Sequence, residues 1–183
     1  MNRLFTLLVT LALLGPVNAP AQTYNVDPSH TTIQFKVKNF GLMSVKGVFE
    51  KFKGTVDIDE TDITKSKVDV SIEIASINTG INMRDDDLRG PNFFDAVKFP
   101  TMTFVSTQVE ADKDKLKVTG NLTIKGVTKQ ITLNVEDPKS LPGDRNRGVT
   151  ATATLNRQDY GVSAGATIAD EVVITITTEL VKQ

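Results

Sequence analysis

Apolar and polar residues alternate with a period of two through most of this chain. Between residues 31 and 38, Ile33, Phe35 and Val37 alternate with polar side chains, and similar runs recur as far as the C-terminus. This is the period of a β-strand with one buried face, because successive side chains of a strand point to opposite faces of the sheet. The pattern therefore predicts an all-β fold.

Eight segments are predicted as strands from this alternation and from their β-branched composition. They cover residues 31–38, 43–59, 67–74, 101–110, 115–125, 131–135, 149–155 and 172–180. The dipeptide Lys125-Gly126 predicts a tight hairpin, whereas residues 137–144 predict a longer loop. Short connections favour an antiparallel order, and closure into a barrel removes both sheet edges. We therefore predict an eight-stranded antiparallel barrel, with a two-sheet sandwich as the alternative.

Residues 81–100 interrupt the alternation between the third and fourth predicted strands. Asn82 is a candidate N-cap for a short helix that ends before Pro91, and residues 92–95 have the composition of a second helical turn. The segment is rich in Phe, Met and Arg. It is either a lid over the barrel mouth or a plug that completes the core.

The first 21 residues have the composition of a secretory signal peptide. Arg3 precedes an apolar run over residues 4–15, and Ala19-Pro20-Ala21 supplies the small residues of a cleavage site. The run is shorter than the roughly 20 apolar residues of a membrane-spanning helix. We expect cleavage after Ala21, export to the periplasm and a single domain over residues 22–183. Because the chain contains no cysteine, this domain has no disulfide.

Charge and motif content argue against several classes of function. Loss of Arg3 with the signal peptide leaves 20 of the 21 basic residues against 22 acidic ones, interspersed along the chain, which argues against nucleic acid as a partner. The chain has a single histidine, His30, no cysteine and no Gly-x-Ser-x-Gly motif, so we assign no catalytic residue. His30 is better explained as a hydrogen-bonded residue that fixes the entry of the chain into the first strand.

The run Asp85-Asp86-Asp87 is the strongest local cluster of carboxylates. It lacks the Gly and the following Glu of a calcium loop, so we assign no metal site and interpret it as a solvated face near a helix N-terminus. Arg84 and Arg89 flank the cluster. They either pair with it or face an anionic headgroup.

Several motifs taken together resemble the YceI-like family of exported bacterial proteins. They occupy residues 24–30 with 33–37, 45–49, 83–85 with 88–89, 93–95 through 99–100 to 103–104, and 120–128. The resemblance covers essentially all of the chain after the signal peptide. It implies an eight-stranded lipocalin-like barrel whose long hydrophobic cavity binds a polyisoprenoid or a similar amphiphile in the periplasm, and it implies no catalytic residues. The family often has His where this chain has Asn39 and Asp87.

Alternation and this resemblance nominate the ligand-binding side chains. The candidates in the barrel wall are Ile33, Phe35, Val37, Ile72, Ile74, Phe104, Leu122 and Ile124. Those in the insertion are Met83, Arg84, Leu88, Arg89, Phe93 and Phe94. Alternation alone does not distinguish a wall residue of a cavity from a residue of a dry core.

We therefore expect a carrier and not an enzyme. Its ligand would be a polyisoprenoid, an isoprenoid quinone or another long-chain lipid, with no other cofactor. One alternative is a hydrolase or isomerase that acts on a lipid-like substrate through His30 or a carboxylate with a raised pKa. Another is a non-catalytic stress-response protein with a filled core. Transient contact with a membrane and a homodimer both stay open.

Overall fold

The structure, a computed structural model, describes residues 21–112, 115–136, 148–179 and 181–182. The predicted signal peptide up to residue 20 and the predicted loop over residues 137–144 lie outside these ranges. Leu180, predicted as an inward-facing residue of the last strand, also lies outside them.

The described residues form one antiparallel sheet of twelve strands. The strands are β1 (Gln22–Val26), β2 (Thr31–Asn39), β3 (Met43–Phe49), β4 (Phe52–Ile58), β5 (Lys67–Glu73), β6 (Ile77–Asn78), β7 (Thr101–Asp112), β8 (Lys115–Ile124), β9 (Val127–Glu136), β10 (Gly148–Asn156), β11 (Ile168–Glu179) and β12 (Val181–Lys182). Their order in the sheet is β12-β1-β4-β5-β7-β8-β9-β10-β11-β2-β3-β6. The prediction of an all-β, antiparallel fold is confirmed.

The predicted count of eight strands is wrong. The segment over residues 43–59 is divided into β3 and β4, and β1, β6 and β12 were not predicted. At the division, the N–H of Glu50 donates to Ser76 (3.1 Å) and the carbonyl of Lys51 accepts from Glu73 (2.9 Å). A bend of this kind leaves no mark in the alternation. Strands of two to five residues contain too few alternating positions to be recognised.

The sheet curls because strands that are far apart in the sheet order follow each other directly in the chain. β1 continues through residues 27–30 into β2, and β3 continues into β4. These two stretches therefore connect one end of the sheet order with the other. The inner faces share one hydrophobic core, to which nearly all of the longer strands contribute. The interior of the curled sheet is thus the place where a cavity can form.

Alternation predicts the inner face of the long strands well. In β8, Leu116, Val118, Leu122 and Ile124 are buried, and every residue between them is more exposed apart from the buried Gly120. The predicted hairpin at Lys125-Gly126 is confirmed, since Ile124 pairs with Val127 across these two residues. Both turn residues have positive φ, 50° and 76°, as a type I′ turn requires.

The insertion contains the α-helix α1 (Asn82–Arg89), which follows β6 and precedes β7. It lies between the segments predicted as the third and fourth strands, residues 67–74 and 101–110, but β1, β6 and the division of β3 from β4 change the strand numbers, so the predicted numbering is not confirmed. Asn82 is not the N-cap; Ile81 holds that position and no side chain caps the helix. Residues 91–94 form turns and not a second helix. Among the residues that the structure describes, no helix is long and apolar enough to cross a membrane.

Candidate ligand-binding cavity

Two adjoining cavities lie inside the curled sheet. The cavity beside α1, here called the outer compartment, has a volume of about 260 Å³, and the inner compartment has a volume of about 190 Å³. Five lining residues are common to both: Phe49, Met102, Ile124, Leu155 and Ile174. The two compartments therefore meet at these five residues, here called the constriction, and are together called the elongated cavity; their combined volume lies within the roughly 300–1,000 Å³ typical of small-molecule sites.

Each polar side chain that the structure places in the wall of the inner compartment is hydrogen-bonded within the protein. Its walls are aliphatic and aromatic except for Thr31, Ser66 and Thr178. The hydroxyls of Thr31 and Thr178 are hydrogen-bonded to each other at 2.6 Å. Ser66 Oγ accepts from the backbone N–H of Asp59 at 3.1 Å. A hydrocarbon chain could occupy this space without leaving a protein polar group unsatisfied.

The insertion forms one wall of the outer compartment. Leu88, Phe93 and Phe94 line it and pack against the hydrophobic core. The Phe94 ring meets Phe49 edge-on, with centroids 6.3 Å apart, and Phe49 lies 5.7 Å from Phe35. Phe49 therefore packs between Phe94 of the insertion and Phe35 of β2, and it also lines the inner compartment. This arrangement gives the insertion the position of a lid that also completes the core.

Local sequence explains the orientation of Phe35. This residue on β2 pairs with Gly47 on β3, and its ring lies over the glycine, where a Cβ atom would overlap it. Without a side chain at residue 47, the ring can lie flat against the wall. It leaves the space in front of it open as part of the outer compartment.

Polar residues of the cavity are concentrated in the outer compartment. They are Asn39, Arg84, Asp87, Arg157 and Tyr160. Arg84 donates through Nε to the hydroxyl of Thr79 (2.8 Å) and through Nη2 to its carbonyl (2.9 Å). Within the described ranges, no protein acceptor lies within hydrogen-bonding distance of Arg84 Nη1. The guanidinium is thus held by the protein but retains donors for a ligand.

Two buried polar atoms of the outer compartment have no hydrogen-bond partner among the residues that the structure describes: Asn39 Oδ1 and the Tyr160 hydroxyl. Tyr160 is only 2% exposed. Burial, with a smaller contribution from the charge of Asp159, raises the pKa of Tyr160, so its hydroxyl keeps its proton and can donate. An unpaired buried polar group costs about 1–3 kcal/mol. A polar ligand group between these atoms would offset that cost.

Arg157 lines the same compartment but has no free donor. It is 7% exposed and donates to the carbonyls of Val162, Ala164, Gly165, Ile168 and Ala169, with Asp170 at 3.4 Å. These contacts use all five N–H groups of the guanidinium. Arg157 therefore positions the loop over residues 161–168. Hydrogen-bond donors for a ligand must come from other residues of the compartment.

Three further hydrogen bonds hold the segments around the outer compartment together. Lys125 Nζ donates to the carbonyls of Pro91 (3.2 Å) and Gly161 (3.3 Å), which joins the insertion to the 161–168 loop. The N–H of Phe40, at the tip of the β2–β3 hairpin, donates to Thr167 at 2.9 Å. The hairpin, the loop and the insertion are thus connected around one compartment.

Most of the nominated residues line the cavity. Phe35, Val37, Arg84, Leu88, Phe93 and Phe94 line the outer compartment, Ile33, Ile72, Phe104 and Leu122 the inner one, and Ile124 both. Ile74, Met83 and Arg89 line neither. Ile74 begins a 3₁₀ turn after β5, Met83 is 79% exposed, and Arg89 donates to the carbonyls of Ala75 and Ile77.

The acidic cluster divides in a way that the sequence did not indicate. Asp85 is buried, and it accepts from the N–H (2.9 Å) and the hydroxyl of Thr79, so its interpretation as a solvated residue is wrong. Asp86 is exposed and pairs with Arg89 at 3.0 Å, which confirms internal pairing for this arginine. Asp87 is exposed and lines the outer compartment.

Sequence reasoning missed several residues of the cavity. Ile174 follows the alternation of β11 and could have been nominated, whereas Phe49 lies in a segment whose phase changes. Arg157 and Tyr160 belong to a 3₁₀ turn, where no periodic signal marks them. Asn39 is the last residue of β2, and only the structure shows that its side-chain oxygen is buried.

His30 is placed as a structural residue. Its Nδ1 lies 3.2 Å from Asp27 Oδ1, and its carbonyl accepts from the N–H of Glu179 at 2.8 Å. The backbone N–H of Ser29, followed by the contact with His30, lowers the pKa of Asp27. These bonds fix the turn into β2, as predicted, and His30 lines neither compartment. In the part of the chain that the structure describes, no group of three or more His, Asp or Glu side chains could hold a metal ion.

Comparison with known proteins decides the family. A family model for the YceI-like domain matches residues 24–180. The chain belongs to the YceI-like family. Among the curated members of this family, Protein YceI of Salmonella arizonae is 34% identical over 188 residues, which cover 98% of this chain and 96% of that protein. The resemblance inferred from the motifs is thus confirmed.

Several solved structures share the fold. BcnA of Burkholderia cenocepacia matches with a TM-score of 0.73 and 28% identity, covering 83% of this chain and 97% of BcnA. The Campylobacter jejuni YCEI protein matches with a TM-score of 0.68 and 33% identity, covering 81% and 90%. A polyisoprenoid-binding domain from Saccharophagus degradans matches with a TM-score of 0.58, covering 87% and 99%. At 16% identity, this last likeness concerns the fold alone.

Proposed function

We propose that this YceI-like protein is an exported, non-catalytic carrier that holds a long-chain isoprenoid amphiphile in the elongated cavity. The observation that carries the proposal is the polarity of the cavity from end to end. The polar side chains of the inner compartment are hydrogen-bonded within the protein. The outer compartment contains the Tyr160 hydroxyl and the Asn39 oxygen, which bond to no residue within the described ranges. Such a gradient fits a molecule with a long apolar tail and one polar end.

The tail would lie in the inner compartment and pass the constriction at Phe49. Burial of an alkyl chain contributes about 0.8 kcal/mol for each CH₂ group and needs no directional contact. A chain of isoprene units suits the alternation of flat rings and branched side chains along the walls. The proposed tail contacts are Ile33, Phe35, Val37, Ile72, Leu88, Phe93, Phe94, Phe104, Leu122 and Ile124.

The head would lie among Asn39, Arg84 and Tyr160. Tyr160 and Arg84 offer donors, whereas Asn39 Oδ1 accepts, so the head should carry an oxygen acceptor and an O–H donor. The exposed carboxylate of Asp87 offsets the charge of Arg84, and Asp170, 3.4 Å from Arg157, offsets the second guanidinium, so the compartment has little net positive charge. We therefore expect an uncharged head, such as an alcohol or a quinol, in preference to a diphosphate.

Two further observations support a carrier. His30, the single histidine, lies outside the cavity, so the cavity has no imidazole for acid–base catalysis. The interior also contains space that the protein's own side chains do not fill, unlike the core of a protein without a ligand. The polyisoprenoid named for the Saccharophagus degradans domain belongs to the class of ligand that this cavity would accept.

Mass spectrometry of protein purified from its native host without detergent tests the proposal. We expect organic solvent to extract a prenyl lipid in near-stoichiometric amount, and the emptied protein to take up a prenyl alcohol without converting it. Absence of any lipid together with failure to take up the probe would contradict the carrier function. Turnover of the bound probe would favour an enzyme.

A matched pair of variants on β10 tests the site. Ala151 lines the inner compartment, whereas its neighbour Thr152 does not, and alternation places it on the opposite face of the strand. We expect Ala151→Leu to weaken binding of long prenyl alcohols more than that of short ones, because it shortens the space for the tail. Thr152→Leu should leave both affinities unchanged. Equal behaviour of the two variants would place the tail elsewhere.

Export is tested separately by the N-terminus of the protein recovered from the periplasm. The expected first residue is Gln22, because cleavage is predicted after Ala21. Protein that keeps residues 1–21 or stays in the cytoplasm would contradict export but would leave the ligand proposal untouched.

A further inference from the structure

The tip of the β2–β3 hairpin exposes a group of large apolar side chains. Phe40 is 65% exposed, Leu42 88% and Met43 58%. Single apolar residues are common on protein surfaces, but three large ones at one tip form a protruding apolar patch. We call Phe40, Leu42 and Met43 the hairpin tip. Exposure of this extent is unfavourable in water, so the hairpin tip is a candidate contact surface.

The backbone holds the hairpin tip in a defined conformation. Phe40 has φ of 50° and Gly41 has φ of 71°. The left-handed region costs a bulky L-residue about 1–2 kcal/mol, and it is enriched in Asn, Asp and Gly. The hydrogen bond from the Phe40 N–H to Thr167 fixes this conformation against the neighbouring loop. Phe40 is thus held in a backbone conformation that is unfavourable for an aromatic residue, and its side chain is exposed to solvent, which is also unfavourable.

The two strands of the hairpin are basic. Lys36, Lys38 and Lys46 are exposed, and Lys36 pairs directly opposite Lys46. Residues 31–49 contain these three lysines and no Asp or Glu, although the whole chain has a net charge of −1. Like charges on opposite residues destabilise a strand pair slightly. The hairpin itself therefore carries only positive charges next to its apolar tip. On the adjoining β11, Glu171 is exposed, and Asp170 is hydrogen-bonded to Gln158 and lies near Arg157.

The hairpin tip lies beside the polar part of the cavity. Val37 and Asn39 on β2 and Val45 on β3 line the outer compartment, and Asn39 pairs with Met43 at the base of the tip. A surface that accepts the hairpin tip would therefore face the end of the cavity where Arg84 and Tyr160 lie.

We propose that the hairpin tip docks on the surface of a lipid bilayer that contains anionic phospholipids. Phe40, Leu42 and Met43 enter the boundary between headgroups and acyl chains, and the lysines stay among the headgroups. Membrane association of this kind needs an apolar anchor together with basic residues, since each alone is weak. The hairpin supplies both. Docking would bring the outer compartment to the membrane, where a lipid ligand could enter or leave.

Flotation of the purified protein with vesicles tests this proposal. The N-terminus is first checked by mass spectrometry, because residues 4–15 of an uncleaved chain would themselves bind lipid. We expect binding to vesicles of phosphatidylcholine mixed with phosphatidylglycerol, and clearly weaker binding to pure phosphatidylcholine. Leu42→Ser with Met43→Ser should reduce binding at least about tenfold, because it removes most of the apolar anchor. High salt should also release the protein.

A control pair separates the hairpin tip from general surface hydrophobicity. Val105 and Val127 are exposed apolar residues on β7 and β9, at 45% and 37%. Val105→Ser with Val127→Ser should bind vesicles as the original chain does. Circular dichroism and the melting temperature should show that both double variants are folded.

Three outcomes would overturn the proposal. They are failure of the original chain to float with either vesicle type, equal flotation of the Leu42→Ser, Met43→Ser variant, and a dimer in solution that this variant converts to a monomer. In the last case the hairpin tip is an interface between copies of the chain. Vesicle binding is measured without a prenyl ligand, so its failure is distinguishable from failure of the carrier function.

Discussion

Tyr160 and Asn39 place hydrogen-bonding groups in the outer compartment where none of the described residues is a partner for them. Unpaired buried groups lower the stability of the protein without a ligand, and a bound ligand that forms hydrogen bonds to them would offset this cost. Arg84 complements these groups, because Thr79 holds one side of its guanidinium and, in the described part of the chain, no acceptor bonds Nη1. At the scale of single residues, ligand binding and stability should therefore respond differently to substitution.

Tyr160→Phe is the first test of this difference. It removes an unpaired buried hydroxyl, so the free energy of unfolding should stay within about 1 kcal/mol of the original or rise. The affinity for a prenyl alcohol should fall about 5- to 30-fold, equivalent to about 1–2 kcal/mol. Isothermal titration and denaturant unfolding measure the two quantities. Tyr24→Phe is the matched control, since the Tyr24 hydroxyl bonds Gln22 at 3.1 Å outside the cavity; it should not change the affinity.

The same residue predicts a change of stability at alkaline pH. Burial raises the pKa of Tyr160 above its ordinary value of 10.0, so the unfolded chain releases this proton first as the pH rises. The contribution of Tyr160 to stability is therefore fully present below pH 10.0 and decreases above it. Tyr160→Phe should make the loss of stability above that pH less steep, in unfolding curves recorded across the transition. An identical decline in both proteins would show that the hydroxyl ionises as freely in the folded state as in the unfolded one.

At the scale of elements, one buried arginine determines the loop over residues 161–168. Arg157 supplies its fork of donors to five backbone carbonyls, a number that a lysine ammonium with three donors cannot reach. We expect Arg157→Lys to lower the free energy of unfolding by about 2–4 kcal/mol. Hydrogen exchange should show faster opening of the 161–168 loop. Unchanged stability would mean that water replaces these bonds without cost.

Long strands were easier to predict from the sequence than short elements. β8 has ten residues with one face buried, so its alternation is complete and its boundaries were nearly correct. β6 has two residues, too few to show alternation. α1 has no apolar stripe, and the short helix was predicted from the break in the alternation and from Pro91. In the cavity, Ile33 and Leu122 could be predicted because they lie on the inner face. Tyr160 could not, because its position depends on a 3₁₀ turn and on contacts distant in sequence.

For the whole molecule, curling of a single sheet produces both the core and the cavity. The buried residues at the constriction contribute to stability, whereas the compartments on either side of it are incompletely filled. A tightly filled interior would be more stable without a ligand. The fold of this YceI-like protein should therefore gain stability when a ligand completes the packing.

This coupling gives a prediction for the intact protein. A ligand that binds only the folded state stabilises it by about 2.7 kcal/mol at a free concentration of 100 times Kd. For a domain of this size, each kcal/mol raises Tm by roughly 2–4 °C, so a saturating prenyl alcohol should raise the Tm of delipidated protein by roughly 5–10 °C. Scanning calorimetry measures the shift. A short-chain alcohol with the same head should give a smaller shift, because it leaves the inner compartment empty. Equal shifts for both alcohols would locate binding in the outer compartment alone, and no shift with either would mean that the two compartments belong to the packing of the protein and not to a ligand.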